Sequence, residues 1–450
     1  MVAEQAGIPA VAIVISDFLT SAKAAGRAAG FPELRIATYP GAVAVHPYDE
    51  MAANIRDIVF PQIVEHLTKT SGPSGDTVKA PSDIADDEMK IAFAGSFEEV
   101  NQYFYDQGWT DGLPIVPPTA DRVAEFLRFT RRGADTDLGV LHPSMQQATV
   151  HSVAVNGVMA GCRPEYMPVL IAVVEAIADP RFHLEDAGSS AGWTPMITLN
   201  GPVIDALGFN CSTAVLRTGN QANTSVSRFL RLYLRNAAGF VPGTGDMATF
   251  GRPDFPVLAE NESASPWEPL SVTRGFKPGQ SVVTVNSVGL MSFQITVVAQ
   301  GADNLLQNIA KKVQQVLLSG DGSIIQKGPE MAPQLVLAPV IAEAIAAGGY
   351  SKKDVQNFVF KHSMVTAREF DAWLRLQGIR SACACVEAGL LPKDFCRSTD
   401  PDRMLPLYHS PDELQVIVTG TSERNRFFVS QNVSRQGLAT SKKIDFELPD

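Results

Sequence analysis

The sequence predicts an α/β protein: a partial, Rossmann-like N-terminal half-domain followed by a larger mixed α/β body. Three observations predict it. Short β-branched runs alternate with amphipathic helices over residues 1–70. A polar, Gly/Pro/Ser/Asp-rich stretch (SGPSGDTVKAPSDIADDE, 71–88) follows and reads as a linker reaching residue 95. The remaining chain again mixes strand and helix patterns, with a central region over 96–280 and a C-terminal region over 281–450. A length of 450 residues allows about two or three domains.

In the first region, Val11–Ile15 reads as a strand, and Asp17 or Ser21 caps the helix behind it. Leu34–Tyr39 is the next strand. Met51–Thr70 is a long helix in which Ile55, Ile58, Val59, Ile63 and Leu67 recur at helical spacing. The order predicts a parallel sheet. Two strands bury little, so a partner chain is expected to complete this sheet. The first seven residues read as the tail of a helix.

In the central region, Ser96–Gln107 carries a capping-box pattern, Ser96 with Glu99. Thr119–Thr130 is a helix. Gln147–Ala160 and Pro164–Ala178 are apolar nearly all round and therefore buried. Met196–Leu199 is a strand, and Gly219–Ala238 is a polar turn feeding a long helix. In the last region, Val282–Val285, Phe293–Val298, Leu335–Leu337, Val416–Thr419 and Phe427–Val429 read as strands. Asn304–Leu318 and Pro339–Ala347 read as helices. No internal repeat is visible.

Composition excludes several classes. Hydrophobic residues make up 45% and charged residues 19%, a globular balance. The net charge of −11 opposes nucleic acid and anionic membranes, while leaving room for a local basic pocket. No apolar run reaches the roughly 18 residues of a membrane span. Five scattered cysteines point to a reducing cytoplasm rather than a disulfide scaffold.

Cys162 is the first chemical candidate. It precedes a predicted helix and adjoins Arg163, and both features favour thiolate. His151, eleven residues earlier, completes an activated-nucleophile pair if the chain reverses at Gly161; His142 is an alternative. The turn Gly219–Ser227, with Asn220 and Asn223, leads into Arg228, Arg231 and Arg235. Free N–H groups and two arginines one turn apart suit an anionic substrate group. Asp111 and Asp246 stand in Gly/Pro-framed loops as acid–base candidates, and Glu260, Glu262 and Glu268 surround Trp267. Cys383, Cys385 and Cys396, with His409, form a loose soft-metal set for zinc, copper(I) or an iron–sulfur cluster. Each of these features also has a purely structural alternative.

The runs GIPAVAIVISDF and LRIATYPGAVAVHPYDE resemble the later half of the UGSC-type (seleno)protein domain. That family is named for a selenocysteine- or cysteine-containing Gly-Ser-Cys motif, and no Cys-Gly-Ser-Cys occurs in this sequence. GWTDGLPIVPPT, NGVMAGCRPEYMPVLIAVVEA, GNQANTSVSRFLRL, GTGDMATFGRP and AENESASPWEPL resemble an uncharacterised domain associated with it. The resemblance carries no assigned reaction; joined to the thiol, imidazole and arginine candidates, it leads to the expectation of one subunit of a thiol- or selenol-linked oxidoreductase or lyase acting on a small anionic organic molecule. Either a partner subunit supplies the motif, or this member has abandoned it. A metal-dependent lyase or hydratase, and a non-catalytic scaffolding subunit, are the alternatives.

Overall fold

The computed structural model describes residues 8–28, 31, 34–68, 91–188, 192–252, 256–298, 301–319, 333–376, 378, 381–433 and 439–446. The linker expected at 71–95 lies outside them up to residue 90, as do the first seven residues. The fold is mixed α/β.

The N-terminal unit is a β-α-β turn. Strand β1 (Ala12–Ile15) pairs in parallel with β2 (Ile36–Tyr39) through helix α1 (Leu19–Ala28). Helices α2 (Tyr48–Asn54) and α3 (Phe60–Thr68) are joined by a π-helical turn, Ile55–Val59. This turn lets Val59 and Ile63 pack on Ala37 and Tyr39. Ile13, Val45, Tyr48 and Phe60 stay exposed.

The body begins with α4 (Phe97–Asp106), whose Ser96–Glu99 capping box forms as expected. Helix α5 (Ala120–Leu127) and the antiparallel hairpin β3 (Asp137–Leu141) and β4 (Gln146–Thr149) follow. The helix predicted from Gln147 therefore starts later, as α6 (Val150–Met159), because Thr149 makes the capping box with Ser152. Helix α7 (Met167–Ala178) is buried nearly all round, as its uniform apolarity requires.

One large sheet organises the rest. Strand β5 (Thr194–Asn200) leads through helix α8 (Gln221–Tyr233) to β6 (Val257–Ala259). The short helix α9 (Leu270–Thr273) precedes β7 (Val282–Met291), and β8 (Ile295–Thr296) is a short flank. Helix α10 (Ala302–Ser319) leads to β9 (Gln334–Leu337). Helices α11 (Pro339–Ala347) and α12 (Lys352–His362) come next. A small hairpin of β10 (Val365–Thr366) and β11 (Met404–Leu405) brackets α13 (Ala367–Leu376) and α14 (Ala382–Glu387). Strands β12 (Gln415–Val418), β13 (Arg426–Asn432) and β14 (Thr440–Lys443) end the chain.

The strand order is β12-β9-β13-β7-β5-β6, with β14 also on β7 and β8 on β13. This sheet draws strands from both sides of residue 280, so the expected boundary there separates no sheets. The order contains a repeat. In one half β5 pairs in parallel with β6 and antiparallel with β7; in the other β9 does the same with β12 and β13. The halves meet where β7 and β13 pair antiparallel. Pro-Val-Ile follows the first strand of each half, at Pro202–Ile204 and at Pro339–Ile341. At the seam, Asn286 Nδ2 donates to Asn432 Oδ1 at 3.2 Å. The expectation of no repeat is therefore corrected: the repetition lies in topology, and a three-residue echo is too short to see in sequence.

Helices α6, α7 and α8 cover one face of the sheet at β5, β6 and β7. Helices α10, α11 and α12 cover the same face at β9, β12 and β13. On the opposite face Leu258, Val336, Ile417 and Phe428 pack with Leu270 and Val215. The end strands touch at their carboxyl ends, where Asn261 N donates to Val418 O at 2.8 Å and Thr419 Oγ1 to Ala259 O at 2.7 Å. Glu260, fully buried here, accepts from Asn200 Nδ2 (2.6 Å), Leu270 N (2.8 Å) and Val418 N (3.4 Å). Lys352 reaches back from the second half to Glu268 O at 2.8 Å. Polar groups thus lock the two halves together, and burial holds the Glu260 carboxyl above its ordinary range and the Lys352 ammonium below its own.

Candidate functional site

The GWTDGLPIVPPT loop is strapped along α8 and the turn after it. Arg228 grips Asp111 with two hydrogen bonds, Nε to Oδ2 at 3.1 Å and one terminal nitrogen to Oδ1 at 2.9 Å. The same guanidinium donates to Pro114 O at 2.7 Å. Arg231 lies 3.6 Å from Asp111 Oδ2. Arg235 donates to Gly108 O at 2.6 Å and Asn236 to Trp109 O at 3.1 Å. Asp111 is 3% exposed, Arg228 20% and Arg231 33%. The sequence offered Arg228 and Arg231 as a clamp for an anionic substrate and Asp111 as a separate acid–base group; the structure pairs them with each other. The arginine clamp closes on the protein's own carboxylate, so Asp111, Arg228 and Arg231 act first as loop anchors.

The turn before α8 is likewise self-satisfied. Asn220 caps the helix by accepting from Asn223 N, and its amide donates to Gly208 O at 3.0 Å. Asn223 is buried, accepting from Asn210 N and donating to Asn210 O and Val257 O. Two of the donors expected for an anion, Asn223 N and Gly219 N, are thus occupied by Asn220 Oδ1 and Thr224 Oγ1 of the turn itself. Asp246 accepts from Ala248 N at 3.1 Å in a tight turn. The glycines around it are needed for packing: a Cβ on Gly245 would meet Gly239 O at 2.0 Å, and one on Gly188 would meet Gly245 O at 2.2 Å.

Cys162 is corrected more fully. It occupies the position after the left-handed Gly161 in a Schellman motif closing α6, its N–H bonding Gly157 O at 3.1 Å. It therefore stands at the C-terminal, negative end of a helix dipole, not at a free N-terminus. Arg163 turns away to Glu165 at 3.0 Å. Burial pushes the thiol up to about 12, and neighbouring Ser225 and Arg228 only partly oppose this. The thiolate expected there is absent at neutral pH. His151 is in the first turn of the same helix, roughly 12 Å along its axis from Met159, so the pair does not form.

The metal set is also corrected. Cys383 and Cys396 form a disulfide, and Cys385, two residues along α14, is buried against other apolar side chains. Residues i and i+2 of a helix point apart, which divides the set. Among the described residues no group of three or more His, Cys, Asp or Glu side chains is placed to hold a metal ion.

What the loop does build is a cavity of about 1140 Å³. His151, Val155, Asn156 and Met159 line it from one face of α6, while Phe104, Trp109 and Pro117 contribute to the opposite side. Trp109 packs edge-on against Tyr103 and Phe104, with ring centroids 5.9 and 5.4 Å apart. At the polar end, Asn236 Nδ2 donates to Asn156 Oδ1 at 3.0 Å, and Asn156 Nδ2 donates to Ser152 O at 3.0 Å. The half-buried His151 ring has no hydrogen-bond partner among the described residues. Asn156 and Asn236 escaped the sequence reading. The available signal was a lone amide in an otherwise apolar helix.

With this geometry in place, comparison identifies the first segment. Residues 1–69 match the UGSC family. The UGSC segment is the N-terminal β-α-β unit with α2 and α3, and the cavity lies beyond it in the chain. No curated protein and no solved structure matches this chain. No helix among the described residues is long and apolar enough to cross a membrane.

Proposed function

We propose that the chain is the substrate-binding subunit of an oxidoreductase or lyase, acting on a small organic molecule with an apolar body and a polar end. The observation that carries this is the cavity: aromatic and aliphatic walls, a few convergent polar groups, and an imidazole not committed elsewhere. His151 is the group to move a proton there, since an imidazole offers one ring nitrogen to accept and one to donate. Asn156 and Asn236, already fixed by each other, orient the polar end.

Thiol or selenol chemistry is assigned to a partner chain carrying the Gly-Ser-Cys motif, because Cys162 is protonated and buried. The UGSC segment supports this: parallel sheets are ordinarily covered on both faces, and Ile13 of β1 is 63% exposed. Equilibrium dialysis against a metabolite extract, read by mass spectrometry, tests the binding role. The wild-type protein should retain such compounds, and Val155→Trp, which fills the cavity, should not. Equal retention by both proteins, or none by either, would overturn the reading.

A further inference from the structure

Among the described residues that line the His151 cavity, Arg122 is the one cation, and none is Asp or Glu. Carboxylates outnumber Lys and Arg by 48 to 37 in the chain, so this lining runs against the average charge of the molecule. The arginine is held in place. Its Nη1 donates to Pro117 O at 3.0 Å, and the preceding Val116 N donates to Met159 O at 3.3 Å. The guanidinium is thus pinned beside the last turn of α6, and it forms no ion pair among the described residues. His151 lies in the first turn of the same helix, about 12 Å along its axis. Between these two ends Val155 and Met159 continue the α6 face, with Phe104 and Trp109 standing opposite.

We infer that this cavity takes an aromatic carboxylate, its carboxylate on Arg122 and its second polar group toward His151. The inference rests on the reading of the cavity as a binding site and adds the class of molecule bound. One guanidinium N–H is spent on Pro117 O, and the remaining donors match the two oxygens of a carboxylate. An ammonium end would meet no carboxylate in this lining, and an uncharged end would leave the guanidinium without a counter-charge. The walls favour a ring, since Phe104 and Trp109 offer faces and edges for offset or edge-on stacking. Length follows too: about 12 Å, less roughly 3 Å of hydrogen bond at each end, leaves about 6 Å. A phenyl ring with a one-carbon arm spans that distance.

The test titrates 4-hydroxyphenylacetate and its neutral isostere 4-hydroxyphenylacetamide into the full chain at neutral pH, with binding read by ligand-observed NMR. The acid should bind about tenfold more tightly than the amide, and added salt should weaken the acid alone. Arg122→Gln changes one exposed side chain, and an unchanged Tm would verify its folding. It should abolish the preference for the acid and leave the affinity for the amide unaltered. Val155→Trp should block both compounds. Equal binding of acid and amide by the wild-type protein, with both blocked by Val155→Trp, would overturn the inference and leave the binding role of the cavity intact. An acid preference that survives Arg122→Gln, acid binding that survives Val155→Trp, or failure of the acid to bind the wild-type protein would overturn it as well.

Discussion

At the residue scale, the decisive fact is which partner each candidate finds. Asp111 is sheltered between two arginines, so Asp111→Ala leaves both guanidiniums without their carboxylate. Breaking a sheltered pair costs about 3 kcal/mol, and urea unfolding should show a loss of that order. A loss under about 0.5 kcal/mol, the size of a surface effect, would contradict the anchoring role. Cys162 gives a second prediction. Its folded-state pKa is raised to about 12, so the thiol supports the fold below the unfolded value of 9.0. That contribution is lost as pH rises from there through about 12. Iodoacetamide should therefore leave Cys162 unlabelled in the native protein at pH 8 and label it after unfolding; rapid native labelling would refute its burial. Gly157 supplies a third. A Cβ there would meet Phe126 at 2.8 Å and Leu170 at 2.9 Å. Gly157→Ala should cost about 1–3 kcal/mol by overpacking, measured by the same unfolding curves.

At the element scale, much was legible because local chemistry decides it. The Ser96–Glu99 box, the Pro339 start of α11 and the apolar α7 are all visible in sequence. What was not legible depends on distant partners. The Schellman motif that places Cys162 needs the direction of the next segment, and the pairing of Cys383 with Cys396, 13 positions apart, needs the fold of the segment between them. That bridge predicts three titratable thiols in the unfolded, unreduced protein and five after reduction; five before reduction would contradict it. The lock between the two halves makes a pH-dependent prediction. Lys352→Met leaves Glu260 buried without its neighbouring cation. Glu260 already has a raised pKa, so proton uptake relieves the charge as pH falls through that value. The variant should lose more stability at pH 8 than at pH 5. An equal loss at both would show that Lys352 serves only by packing.

At the scale of the whole molecule, two β-α-β-β halves share one sheet, and the long loop from Gly108 is pinned across the first of them. The α/β class was readable, because apolar periodicity is a sequence property; the closing of Arg228 and Arg231 on Asp111 was not, because it depends on how a loop more than a hundred residues away folds back onto α8. The cavity was not readable either, since its walls come from the segment before α4, from α4, α5 and α6, from the turn after α8 and from the loop together. His151 was selected for proximity to a cysteine, yet its place is in this cavity with Asn156 and Asn236. The account stands on that placement. The direct test is conversion of a compound retained by the cavity, with the partner chain present, compared between the wild-type protein and His151→Gln. Conversion should fall by about 10²–10⁴-fold, the range for losing a general acid–base group, while affinity for the compound changes only a few-fold. Undiminished conversion without the imidazole would contradict the account.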